Sequence, residues 1–199
     1  MADTVAILLA AGESRRMGRS KALLLWQGTT LLAHQISSLR QGGADRVVVV
    51  LGHRAESLKP IVEGREKVAW TVNPDYALGK TTSIKAGLSA LGPGALAAIL
   101  ILNVDQPRSP DMIGCLLRRH RAAGGLITIP TYRGKGGHPV IVDPALLPDL
   151  SSITEETMGI KAVVRAHPDS TRRVEMATAE VLWDLNTPEE YREALRSEE

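Results

Sequence analysis

The chain has 199 residues, 44% of them hydrophobic and 23% charged, which suits one folded domain, residues 1–199, with a sizeable core and excludes disorder or a fibrous fold. A net charge of +2 is too small to argue for a nucleic-acid partner, and the longest apolar stretch, 95–102, is too short to span a bilayer. The single cysteine, Cys115, excludes an internal disulfide framework and reads as packing on a helix; with no signal-type run at the amino terminus, the expectation is a cytoplasmic protein that does not engage membranes.

In chain order, residues 5–9 form an apolar run that reads as a strand, and LAAGESRRMGRSK, residues 9–21, follows directly. Gly12 and Gly18 let the backbone approach a ligand and turn its N–H groups toward it. Arg15, Arg16 and Lys21 supply charge that phosphate oxygens accept, so the string reads as a triphosphate cradle. It is neither GxxxxGK[ST], which needs lysine directly after the second glycine, nor GxGxxG, whose glycines stand closer together. Taken alone, a solvated basic turn is the competing reading.

A helix over 30–41 stops at Gly42-Gly43 and is followed by a strand over 47–51, a helix over 55–63 and a strand over 68–72. In NPDYALGKTTSIKAGL, residues 73–88, Asn73 follows that strand, and Gly79, Thr81, Thr82 and Ser83 open a helix over 82–91. Exposed N–H and hydroxyl groups there suit a nucleobase edge, and an ordinary capped loop is the alternative. The strand over 99–104 ends in ILNVDQP, which puts Asp105 at a strand end; it is the best candidate metal ligand, with a turn or cap aspartate as the other reading.

A helix over 109–123 opens with Ser109-Pro110-Asp111 and stops at Gly124-Gly125, and strands follow over 127–130 and 140–142. The loop RGKGGHPV, 133–140, is basic and flexible enough to hold an anionic second substrate, with His138 as a donor. Residues 132–158 are the least regular stretch and the expected place for a substrate-facing insertion. The remaining helices cover 159–166 and 188–196. Before the last of them, in WDLNTPEE, Asp184 and Asn186 stand at alternate positions and would project to one side toward an ion, although Asn186 would equally serve as a helix cap.

His34, His53, His120, His138 and His167 are scattered, which argues against a histidine-based metal site, and no nucleophile–base pattern indicates covalent catalysis. Apolar strands without polar alternation, interleaved with helices, predict an α/β, doubly wound, mostly parallel sheet that binds ligands at the carboxyl ends of its strands.

The strings LAAGESRRMGRSK, NPDYALGKTTSIKAGL, ILNVDQP, GKGGHPV and WDLNTPEE, in this order, resemble the nucleotidyltransferases of molybdenum-cofactor maturation, the cytidylyltransferases in particular. The resemblance spans nearly the whole chain. It implies a Rossmann-like fold of the nucleotide-diphospho-sugar transferase type and transfer of a nucleoside monophosphate to a phosphate acceptor with release of pyrophosphate. By position, Leu9, Ala10, Ala11, Gly12, Arg16, Gly18 and Lys21 would hold the nucleoside triphosphate, and Asn73, Gly79 and Ser83 would lie near the base. Arg16, Lys21 and Asp105 would be catalytic, Asp105 and Asp184 would bind Mg²⁺, and Gly137, His138 and Asn186 would face a pterin-phosphate acceptor. LAAG, where guanylyltransferase relatives read LAGG, implies CTP, and a transient contact with a molybdoenzyme follows. Two stretches depart from the family's pattern: Lys80-Thr81-Thr82-Ser83 replaces a serine-rich run, and Thr157-Met158-Gly159-Ile160-Lys161 replaces a GDxGxR-like string. A sugar-1-phosphate nucleotidylyltransferase and a non-catalytic molybdenum-cofactor carrier are the alternatives.

Overall fold

The structure, a computed structural model, describes residues 2–197, with the side chains of Arg15 and Ala123 outside that description. In chain order the elements are β1 (Asp3–Ala10), β2 (Leu25–Trp26), β3 (Thr29–Thr30), α1 (Leu31–Gln41), β4 (Arg46–Leu51), α2 (Ala55–Val62), β5 (Val68–Val72), α3 (Lys80–Ser89) and β6 (Leu96–Asn103). They continue with α4 (Pro110–Ala123), β7 (Ile127–Tyr132), β8 (Lys135–Gly136), β9 (Val140–Val142), α5 (Leu147–Ser152), α6 (Ile160–Ala166), β10 (Thr171–Glu175) and α7 (Pro188–Ser197).

The main sheet runs β10-β7-β9-β6-β1-β4-β5, with β8 hydrogen-bonded to β7. β1 pairs in parallel with β4 on one side and β6 on the other, so it is covered along both edges as well as both faces. Its side chains alternate between two cores. Ala6, Leu8 and Ala10 join residues of α1, α2 and α4, while Val5, Ile7 and Leu9 join residues of α3, α5 and α6. This three-layer α/β/α arrangement is the Rossmann-like, mostly parallel fold that the alternating strands and helices predict.

The helix signals read as expected in most places. The Thr30 side chain accepts from Ala33 N–H at the start of α1, and Ser109 does the same from Met112 N–H at the start of α4. The sheet departs from the sequence reading at its far side, where β9 runs antiparallel to both β6 and β7. β10 has no counterpart in that reading: its TRRVE sequence is the edge strand, intermediate to exposed throughout, so it carries no apolar run. The β2–β3 hairpin also went unread. Its two-residue loop, Gln27-Gly28, takes positive φ at both positions, 44° and 79°, as a tight hairpin requires. Residues 132–158 are more regular than expected and contain β8, β9 and α5.

The order of strands reverses at β1, because β4 and β5 lie to one side and β6, β9, β7 and β10 to the other. A crevice forms at the carboxyl ends of adjacent strands at such a point. A third apolar cluster, Met17, Leu24, Trp26, Leu31, Leu185 and Ala194, closes that end of the molecule by packing α7 and the β2–β3 hairpin together.

Candidate active site

A cleft of about 330 Å³ opens beyond the carboxyl ends of β1 and β6. The turn after β1 contributes Ala11, Gly12, Ser14, Ser20 and Lys21, and the turn after β6 contributes Val104 and Asp105. The Ser14 hydroxyl accepts from the Lys21 N–H at 3.1 Å, which closes the glycine loop on itself. Parallel pairing of β1 and β6, with Leu9 opposite Asn103, fixes the two turns side by side.

Charge is concentrated where those turns meet. The Lys21 ammonium donates to Asp105 Oδ2 at 2.7 Å and to Asn186 Oδ1 at 2.8 Å, and an Arg16 N–H donates to the same Asn186 oxygen at 2.9 Å. Asp184 is raised above its ordinary value, first by desolvation and then by the nearby Asp105 carboxylate, against the opposing effects of Asn186, Lys21 and Lys80. The site therefore holds two carboxylates, two fixed cations and an amide that bridges them.

Asn186 is free to make these contacts because it does not cap α7. Thr187 and Glu190 form a reciprocal capping box: Thr187 Oγ1 accepts from Glu190 N–H at 3.2 Å and Glu190 Oε2 accepts from Thr187 N–H at 2.9 Å. A 3-10 turn at Ala179–Leu182 precedes these residues. The chain straightens after it, and Asp184 and Asn186 both line the cleft as their alternate spacing predicts.

Behind the cleft lies a buried polar network that the sequence reading did not find. Arg108 is 1% exposed and donates to the carbonyls of Pro107, His138, Val181 and Trp183 at 2.7–3.3 Å. Burial pulls its guanidinium down to about 9, opposed by the fields of Glu180, Asp184 and Asp105. Arg108 thus ties the loop that carries Asp184 to the turn that carries Asp105. Gln35 reinforces that turn, donating to the Gln106 carbonyl at 2.6 Å and accepting from Arg108 N–H at 3.2 Å.

Of the expected residues, Leu9, Ala10, Ala11, Gly12, Lys21, Gly79, Ser83, Asp105, Asp184 and Asn186 line one cleft. Arg16 joins them through Asn186. Asn73 does not: it is buried beneath the helix start, where its amide donates to the hydroxyls of Thr82 at 2.8 Å and Ser83 at 2.9 Å. Gly18 serves the turn, with φ at 66°, rather than the cleft wall. Gly137 does not line this cleft, and a Cβ there would stand 2.0 Å from the Val181 carbonyl oxygen. His138 lies away from this cleft, on the wall of a second cavity. Tyr76 and Lys80 line the cleft without having been singled out, although both sit inside the string that contributed Gly79 and Ser83.

Among the described residues no three His, Cys, Asp or Glu side chains are grouped to hold a metal by themselves. The donor set nevertheless fits a hard divalent cation. Asp105 and Asp184 line one cleft, and such a cation takes a few carboxylate oxygens and completes its shell with phosphate and water.

A family model described as the MobA-like NTP transferase domain matches residues 6–171. The chain belongs to this family of nucleotidyltransferases. It is similar to a nicotine blue oxidoreductase of Paenarthrobacter nicotinovorans, 31% identical over 92% of each chain, and to a molybdenum cofactor cytidylyltransferase of Escherichia coli, 28% identical over 93% of this chain and 92% of that one. Among solved structures, a homologue of Rv0371c from Mycobacterium sp. strain JC1 is 28% identical with a TM-score of 0.82 and covers 98% of this chain and 96% of its own. A Mycobacterium tuberculosis Rv0371c structure in complex with manganese, 25% identical, superposes with a TM-score of 0.77 over 98% of this chain and all of its own. Relatives of nearly equal similarity thus carry different named activities, and the distinction between them must come from the site. No helix among the described residues is long and apolar enough to cross a membrane.

Proposed function

We propose that the protein transfers a nucleoside monophosphate, CMP from CTP, to the phosphate of a pterin-type acceptor such as molybdopterin or its molybdenum cofactor. The observation that carries this reading is the meeting of Lys21, Asp105 and Asn186 at 2.7–2.8 Å, which joins a glycine loop to a strand-end carboxylate across one cleft. Lys21 lines the cleft and Arg16 reaches it through Asn186, a pair of cations suited to a triphosphate, and Gly79 and Ser83 of the helix start line the same space.

In the reaction an acceptor phosphate oxygen forms a bond to the α-phosphorus of CTP. The bond from that phosphorus to the α–β bridging oxygen breaks, and pyrophosphate leaves with the electron pair. An acceptor phosphate dianion needs no general base, so the protein's part is alignment and charge stabilisation. Lys21, held by Asp105 and Asn186, is pre-positioned to neutralise the leaving pyrophosphate, and Arg16 adds charge from the rim. Asp105 and Asp184 would hold Mg²⁺, which when bound supplies Lewis-acid polarisation of phosphate oxygens. Arg108 keeps Asp184 at the cleft by fixing the Val181 and Trp183 carbonyls.

The choice of CTP is supported by Ala11. This cleft-lining residue carries a methyl where, in LAGG, the guanylyltransferase relatives have a glycine. The test is transfer of label from α-³²P-labelled CTP, GTP, ATP and UTP to molybdopterin in the presence of Mg²⁺. Incorporation from CTP at least tenfold above the others is expected; labelling of a sugar 1-phosphate instead, or of no acceptor, would overturn the reading.

A further inference from the structure

Among the described residues, Tyr76 is the one aromatic side chain that lines the first cleft, in a chain with three tryptophans, three tyrosines and no phenylalanine. It opens a 3-10 turn, Tyr76–Leu78, between β5 and the start of α3, and its carbonyl accepts from Gly79 N–H at 3.4 Å. Its neighbours on the cleft wall include the uncharged Ala11, Gly79 and Ser83, whereas the ionic contacts of the cleft are made by Lys21, Asp105 and Asn186.

The ring is held from two ends. At its root, Gly52 follows β4, and a Cβ there would stand 2.9 Å from the Tyr76 Cβ and 2.7 Å from that of Ala11, so the tyrosine and the loop after β1 close on this glycine together. At its tip, the hydroxyl stands 3.4 Å from His53 Nδ1, and the two rings meet edge to face with centroids 5.9 Å apart and planes at 65°. His53 also donates its backbone N–H to the Ala11 carbonyl at 3.0 Å. One residue therefore grips the glycine loop with its main chain and the tyrosine with its side chain. Asn73 N–H, donating to the Leu51 carbonyl at 2.8 Å, pins the chain that leads to Tyr76 against the end of β4.

We propose that Tyr76 is the platform on which the base of the bound nucleotide stacks, and that His53 is the positioning residue that keeps this platform in register with the triphosphate cradle. The proposal rests on a nucleoside triphosphate occupying the cleft. Every base has a π-face, so the ring supplies affinity for the heterocycle without choosing among bases. Because ring and cradle are fixed to one histidine, a nucleotide seated on both presents its α-phosphorus in one place.

The experiment compares CTP with tripolyphosphate, which has the phosphates and no base, by calorimetry with Mg²⁺ on the full chain. Tyr76→Leu should weaken CTP at least about fivefold and leave tripolyphosphate within about twofold. Tyr76→Phe, which keeps the ring and loses the hydroxyl beside His53, and His53→Ala should each weaken CTP by about twofold or more. The double variant should lose no more than His53→Ala alone. The cytosine H5 and H6 resonances should move upfield on the unaltered protein and not on Tyr76→Leu, a signature that a merely structural role would not produce. Equal loss of both ligands, unchanged CTP affinity in Tyr76→Leu, or additive effects of Tyr76→Phe and His53→Ala would overturn the proposal. Failure of both ligands to bind the unaltered protein would overturn the nucleotide reading and the platform together. Selective loss of CTP in Tyr76→Leu, with no pyrophosphate released to any acceptor by the unaltered protein, would leave the platform standing and sink the transfer reading.

Discussion

The two cavities that share Lys80 are built by different means. The first cleft hangs from the ends of β1 and β6, adjacent strands whose register fixes both of its turns, and ionic groups within it are paired with one another. The second cavity is assembled from a helix start, one residue before β9, and a segment around Thr154 to Lys161 that belongs to no strand. The register of two paired strands thus fixes the first cleft, while the second depends on the packing of segments outside the sheet.

Substitutions should separate the two. Asp105→Asn and Lys21→Ala are each expected to lower turnover a hundredfold or more with every acceptor, on the order of a single preorganised electrostatic donor, while thermal unfolding shows a folded protein. Lys161→Ala, on the second cavity, should instead leave kcat/KM for CTP nearly unchanged; equal loss in all three variants would erase the distinction.

Arg108→Met tests the brace that lies behind both cavities, because the Val181, Trp183 and His138 carbonyls lose their common donor at once. Destabilisation of about 3 kcal/mol in denaturant unfolding is expected. A protein of unchanged stability would mean that the carbonyls find other partners.

His138 gives the comparison a pH dependence. Burial, with Lys80 and Arg108, lowers it from 6.5 to about 4, so the folded protein resists a proton that the unfolded chain takes up. Its contribution is present above about pH 6.5 and is lost as pH falls toward 4, by up to about 3 kcal/mol. His138→Gln should flatten the stability profile in that window, though His34 and His120, also lowered by burial, keep part of the slope. The sign is opposite at Asp184. Its raised value favours the protonated form in the folded state, so its contribution is lost as pH rises and Asp184→Asn should be slightly more stable at neutral pH while metal-dependent turnover falls. The smallest effect is expected at Thr187→Ala, about 1 kcal/mol from the lost cap of α7, measured by thermal unfolding.

Much of the first cleft was legible because its residues lie in short strings directly after apolar strands. Lys21, Asp105 and Asn186 come from three such strings, and parallel pairing brings the first two together. Their contact itself was not legible, since it depends on the path of the chain from Ala179 to Thr187. Arg108 was hidden for a related reason: it stands beside the recognisable DQP run, but its partners are backbone carbonyls, which leave no mark in a sequence. Gly137 and Asn73 do not line the cleft, one lying against the Val181 carbonyl and the other beneath a helix start, environments that leave no mark in a sequence. β10 was missed because an edge strand with paired arginines has no apolar signature. The two departures from the family's pattern, at Lys80 to Ser83 and at Thr157 to Lys161, lie far apart in the chain and yet contribute facing walls of the second cavity.

The most direct measurement is pyrophosphate release with CTP, Mg²⁺ and molybdopterin, by the unaltered protein and by Asp105→Asn of verified fold. Release that requires all three components and falls at least a hundredfold in the variant is the expected result. Release of equal rate from both proteins, or none from the unaltered protein with any nucleoside triphosphate, would contradict the assignment of this cleft to nucleotidyl transfer.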